Sequence, residues 1–179
     1  MNLAARLAGA FPAETAGLAH DPVRMIVEAG ATLSPDSFDV SVAGRPVSIP
    51  ERLYVDAGRL PRPSRVESGV LACLLTRHHD GYVRQRALDS VLASQAPWAA
   101  PFIVRLIGEY VVEILDEIEA AFEREVSQPV REFVAENPEF VRLTKARVES
   151  YWDCYHRHIP RETYAGFKLL ARLERAGAA

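Results

Sequence analysis

The sequence predicts a mainly α-helical fold, an irregular helical bundle or a short helical array, with one small β-hairpin near the N-terminal third. Three observations carry this. Apolar residues recur at spacings of three and four from about residue 65 onward. Serine, asparagine and proline punctuate that stretch at positions suited to helix starts. A period of two appears in "FDVSVAGRPVSIP". A chain of 179 residues is long enough for one sizeable core. The expected organisation is a single domain, 1–179, with the N-terminal helices, hairpin and linker of 1–63 packed on the helical part, 64–179.

The elements follow in order. "MNLAARLAGAF" reads as an amphipathic first helix, because its apolar core is too short for a signal peptide. In "HDPVRMIVEAG", Asp21 suits an N-cap, Pro22 the first helical position and Gly30 a left-handed stop. Phe38, Val40 and Val42 then alternate with polar residues, Ala43-Gly44-Arg45 can turn, and Val47 and Ile49 alternate again. Pro46 and Pro50 place this hairpin at an edge. A linker rich in proline and arginine ends in Ser64 and Glu67, spaced as a capping box. Two helices follow, carrying Val70, Leu71 and Leu74, then Val83, Leu88 and Val91, with His78-His79-Asp80-Gly81 as the turn between them. "SQAPWAAP" breaks the pattern. "PFIVRLIGEYVVEILDEIEAAFEREV" forms one long helix or two joined at Gly108, with Glu109, Glu113, Asp116, Glu117 and Glu123 on an acidic face. Ser127-Gln128-Pro129 and Asn137-Pro138 restart the helix, and Pro160 breaks it before a last segment that stops near Gly177. These starts imply about seven to nine helices.

"DGYVRQRALDSVL" resembles the second helix of a HEAT-type repeat through Asp80, Val83, Arg84, Ala87 and Leu88. The resemblance implies a HEAT-like array in which Asp80 and Arg84 tie neighbouring turns together, a structural role. Tyr82-Val83-Arg84 returns as Phe140-Val141-Arg142, and "ALDSV" is similar to "ILDEI". The offsets fall slightly short of helix-hairpin periods, which run from roughly 30 to 47 residues. The second unit has Val111-Val112 where Val-Arg is expected, and the third has Pro138-Glu139 in place of the aspartate. The runs "TRHHDGYVRQR", "GEYVVEILDEI" and "VESYWDCYHR" also resemble a group of bacterial proteins of unknown function, which implies no activity.

The composition, 49% hydrophobic and 25% charged, is that of an ordinary water-soluble chain. A net charge of −3 argues against a general nucleic-acid binder, and no apolar run approaches the roughly 18 residues of a membrane helix. Cys73 and Cys154 are expected to be buried thiols in a reducing cytoplasm. His20-Asp21 and His79-Asp80 are doublets of the kind that HD-type phosphohydrolases use to hold divalent metal. That resemblance implies a site from His20, His78, His79, Asp80 and His158. The competing reading makes Asp21 and Asp80 helix caps beside exposed histidines. No phosphate loop, dinucleotide fingerprint or nucleophile elbow occurs, and no cofactor is expected.

Aromatic and arginine residues concentrate late in the chain. Trp98, Tyr110, Arg142, Trp152, Tyr155 and Arg157 are the candidate binding residues, because Trp, Tyr and Arg dominate binding hot spots. The expectation is a non-catalytic protein-binding or scaffold protein of the bacterial cytoplasm, with another protein as partner. Two alternatives are a metal-dependent HD-like hydrolase and an immunity or antitoxin-like inhibitor that binds through the acidic face from Glu109 to Glu123.

Overall fold

Nine α-helices and two antiparallel strand pairs make up the described residues, 2–60 and 68–177, of the computed structural model. The chain is therefore mainly α with a small β-hairpin in its N-terminal third, as its sequence predicts. It divides into two compact units, Met1–Ser94 and Gln95–Ala179. The capping box at Ser64 and Glu67 lies outside the described residues.

In the first unit, α1 (Leu3–Ala8) is capped by Asn2, whose side chain accepts the Ala5 N–H at 2.8 Å. Helix α2 (Ala16–Glu28) begins well before the expected start, and Pro22 lies inside it. Asp21 is therefore not a cap; its carboxylate accepts from His20 and Arg24 at the surface. The helix tolerates Pro22 because the missing bond would go to Leu18, a surface residue whose carbonyl can meet water. Gly30, at φ +77°, ends the helix as expected.

Strands β2 (Ser37–Val42) and β3 (Arg45–Pro50) form the hairpin, with Val42 opposite Arg45. Its loop is the two residues Ala43 and Gly44, both at positive φ, the primed turn that matches strand twist. Val40, Val42, Val47 and Ile49 are buried. The hairpin packs on α1 through the Ser48 N–H, which donates to the Gly9 carbonyl at 2.9 Å. A second pairing, β1 (Thr32–Leu33) with β4 (Leu53–Tyr54), was not visible as periodicity because each strand has two residues.

Helix α3 (Ser68–Leu75) packs on α2 and on α4 (Gly81–Leu92), so the helices flanking the histidine doublet belong with the hairpin. The division between the two units falls after residue 94.

In the second unit, α5 (Ala100–Ile107) is buried at every position, Arg105 included. An all-round apolar helix belongs at the centre of a bundle. Around it pack α6 (Val112–Phe122), α7 (Gln128–Glu136), α8 (Pro138–Tyr155) and α9 (Ala165–Gly177). Gly108 separates α5 from α6, which settles the choice left open in the sequence. A Cβ there would stand 3.4 Å from Cβ and Cδ of Arg147 on α8. No described helix is long and apolar enough to cross a membrane.

Candidate functional site

The turn at "TRHHDG" is built inward. Leu53 of β4 donates its N–H to the Arg77 carbonyl and accepts the His79 N–H, so the turn runs as a short parallel bridge beside β4. This buries His78, which the sequence placed at an exposed corner. The hydrogen bonds fix its tautomer: Nε2–H donates to the Val55 carbonyl at 2.7 Å, and Nδ1 accepts the Asp80 N–H at 3.0 Å. Burial holds the ring below the ordinary imidazole value. Both nitrogens are thus occupied, and His78 has no lone pair to offer a metal. Asp80 caps α4, accepting the Tyr82 N–H at 2.8 Å. Arg84, fully buried, donates to the His78 and His79 carbonyls at 2.8 and 3.0 Å, which closes the turn.

Of the other residues of the metal reading, His79 belongs to the same turn, its ring centroid 4.4 Å from that of His78, whereas His20 and His158 belong to other parts of the chain. His20 is exposed on α2 and pairs with Asp21. His79 is exposed and stacks on Tyr54. His158 lies in the second unit, 6.2 Å between ring centroids from His156. No group of three or more His, Cys, Asp or Glu side chains among the described residues could hold a metal ion. Cys73 is buried, and burial pushes its thiol well up, which makes it inert. Cys154 is exposed, against expectation. Cys154 lies near the C-terminal end of α8, past its buried residues Phe140, Thr144 and Val148.

The acidic face also loses a member. Glu109 is 1% exposed and pairs with buried Arg105 at 3.7 Å in the α5–α6 connection. On α6, burial, with the neighbouring Glu119 and Glu113 carboxylates, raises Asp116 above the usual range.

Three tyrosines converge at the C-terminal end of α8. The rings of Tyr110 and Tyr151 are 5.8 Å apart between centroids, and Tyr155 stands 6.2 Å from each. Tyr110 is 47% and Tyr155 62% exposed. Tyr151 and Tyr155 follow exposed Leu143 and half-buried Arg147 along one i, i+4 row of α8, so they share a face. His156 ties this face to the α5–α6 connection: its Nε2–H donates to the Tyr110 carbonyl at 3.1 Å, and its ring stacks on buried Tyr164.

The remaining candidates are placed otherwise. Trp152 is half-buried; its Nε1–H donates to the Ile159 carbonyl, and its ring meets Phe167 edge-on. Arg161 lies over both rings, at 4.1 Å from Phe167 and 5.4 Å from Trp152, and pairs with Glu149. Trp152 thus staples the turn before α9. Trp98 is half-buried in the short turn Pro97–Ala99. Arg142 is held by Glu139 through two bonds, and Arg157 by Asp153. The basic residues around the tyrosines are therefore matched within the unit.

Compared with known proteins, the chain matches no family model, no curated protein and no solved structure.

Sequence reasoning placed Tyr151 with Tyr110 and Tyr155 among the late aromatic residues but did not take Tyr151, Leu143 or His156 as a binding residue. The i, i+4 spacing of Leu143, Tyr151 and Tyr155 was the available signal. The partner from outside α8, Tyr110, is fixed by the break at Gly108, which sequence alone left open.

Proposed function

We propose that the chain is a non-catalytic protein-binding protein that docks its partner on the Tyr110–Tyr151–Tyr155 face. One observation carries the reading: three tyrosine rings packed on each other, two of them exposed, in a setting where nearby charges are paired internally. Tyrosine supplies large contact area at low entropic cost, and such anchors dominate hot spots. Exposed Tyr82, at 77%, makes the contrast: it has no ring neighbour among the described residues and is an ordinary isolated surface aromatic. The paired charges favour a partner with an apolar or aromatic surface over a highly charged one. A scaffold role fits the HEAT-like resemblance of residues 80–92.

The test is affinity capture from the source cells with the wild-type chain, the Tyr110→Ala/Tyr155→Ala variant and Tyr82→Ala. The proposal expects a partner that the wild type and Tyr82→Ala retain equally and that the double variant loses. Equal retention by all three chains would overturn it.

A further inference from the structure

The first unit holds a second feature that the tyrosine face does not explain. A cleft of about 300 Å³ lies between α1 and the hairpin, lined by Arg6, Gly9, Ser37, Asp39 and Ser48 among others. Asp39 and Ser48 are cross-strand partners on the hairpin, and Ser48 is fastened to Gly9 through the backbone. The walls are therefore fixed by secondary structure.

The charges in this cleft are unusual. Arg6 is held by Nη2 alone, which donates to the Ser34 carbonyl at 2.8 Å, the Pro35 carbonyl at 3.2 Å and the Ser37 hydroxyl at 3.1 Å. All three acceptors are neutral oxygens. Among the described residues Arg6 forms no ion pair, and its Nη1 and Nε make no hydrogen bond. Asp39 likewise forms no ion pair and accepts no side-chain hydrogen bond among the described residues. Most other arginines of the described residues have a carboxylate within reach: Arg24 with Asp21 and Glu28, Arg59 with Asp56, Arg131 with Glu125. Here one cation and one anion line the same cleft and are not paired with each other, and Ser37 and Ser48 line it beside them.

We propose that this cleft binds a small zwitterion of the free amino-acid class. The ligand carboxylate takes one charge-assisted bond from a free Arg6 donor, Nη1 or Nε, since both two-donor edges of the guanidinium include Nη2, which the fold already uses. The ligand ammonium goes to Asp39, and the Ser37 and Ser48 hydroxyls accept or donate the remaining bonds. The volume sits at the small end of ligand sites, about 300–1,000 Å³, which fits a single amino acid rather than a peptide. Neutrality of the pair matters: an anion alone meets Asp39 repulsion, and a cation alone meets Arg6.

The test is a titration of the full chain, followed by backbone amide chemical shifts, with glycine as probe. Acetate, methylammonium and triglycine are the comparators. The proposal expects saturable shifts at Arg6, Gly9, Asp39 and Ser48 with a dissociation constant on the order of 1 mM, and about tenfold weaker binding of each comparator. Asp39→Asn should weaken glycine about tenfold while the spectrum elsewhere is unchanged, because the carboxylate holds no side-chain bond in the fold. Arg6→Ala removes the cation and should weaken glycine as well. No saturable shift by about 50 mM glycine, equal binding of acetate, equal binding of triglycine, or unchanged affinity in Asp39→Asn would each overturn the proposal.

Discussion

Substituting Gly166 tests the packing that supports the tyrosine face. Gly166 is the second residue of α9, and a Cβ there would stand 2.7 Å from Cε1 of Tyr164 and 2.8 Å from Cγ1 of Val148. Neither neighbour can yield cheaply. Tyr164 is 1% exposed, stacked on His156 and edge-on to Phe167; Val148 is 1% exposed and β-branched. Overpacking of this kind costs about 1–3 kcal/mol. The gain in helix propensity from glycine to alanine, at most about 1 kcal/mol in a helix interior, is smaller in the first turn. Gly166→Ala should therefore lose about 1–2 kcal/mol of stability, or about 4–8 °C in Tm for each kcal/mol in a unit of this size. Gly17 provides a matched control. It is also the second residue of a helix, α2, but a Cβ there would meet nothing within 4 Å. Gly17→Ala should be neutral or stabilising. Thermal and urea unfolding of the two variants beside the wild type decide it; equal behaviour of Gly166→Ala and Gly17→Ala would refute the packing argument.

Three further predictions rest on single groups. The Tyr164 hydroxyl is buried with no partner among the described residues, and burial, with Asp116 adding, pushes it up to about 12. The folded state thus holds this proton more tightly than the unfolded state, and stability should fall as pH rises from 10 towards about 12; Tyr164→Phe should remove that loss and cost less than about 1 kcal/mol at neutral pH, read by urea unfolding against pH. His78 has the opposite sign: its folded value lies below 6.5, so its contribution is present above that pH and is lost as pH falls, and His78→Ala should flatten the acid limb of the stability profile while lowering stability at neutral pH. Ala43, at φ +51° in the hairpin turn, should gain up to about 1 kcal/mol on replacement by Asn, which tolerates that region; a lower urea midpoint for Ala43→Asn would contradict the turn assignment.

Local pattern reached the elements whose signal lies within a few residues. The alternation around Ala43-Gly44, the interruption at Pro97, the restart at Asn137 and the cap at Asp80 all appear where the sequence put them, whereas α8 ends at Tyr155, ahead of Pro160. Long-range contacts were less legible. His78 is buried because Leu53, far back in the chain, pairs with the turn, and no periodicity near residue 78 records that. Pro22 looked like a helix start because its missing N–H suits one, yet the apolar face of α2 extends behind it through Ala19. Glu109 looked solvent-facing, yet it is buried in the α5–α6 connection, where it pairs with buried Arg105 four residues earlier. In the tyrosine face, Tyr151 and Tyr155 follow from helix geometry, whereas Tyr110 reaches them through the fold of the second unit.

Site-specific photo-crosslinking in the source cells tests the central claim most directly. A photoreactive phenylalanine analogue at position 155 should yield one discrete heavier adduct, lost when Tyr110→Ala is added. The same analogue at position 82, more exposed but isolated, should yield none. No adduct from position 155, or the same adduct from both positions, would contradict the account.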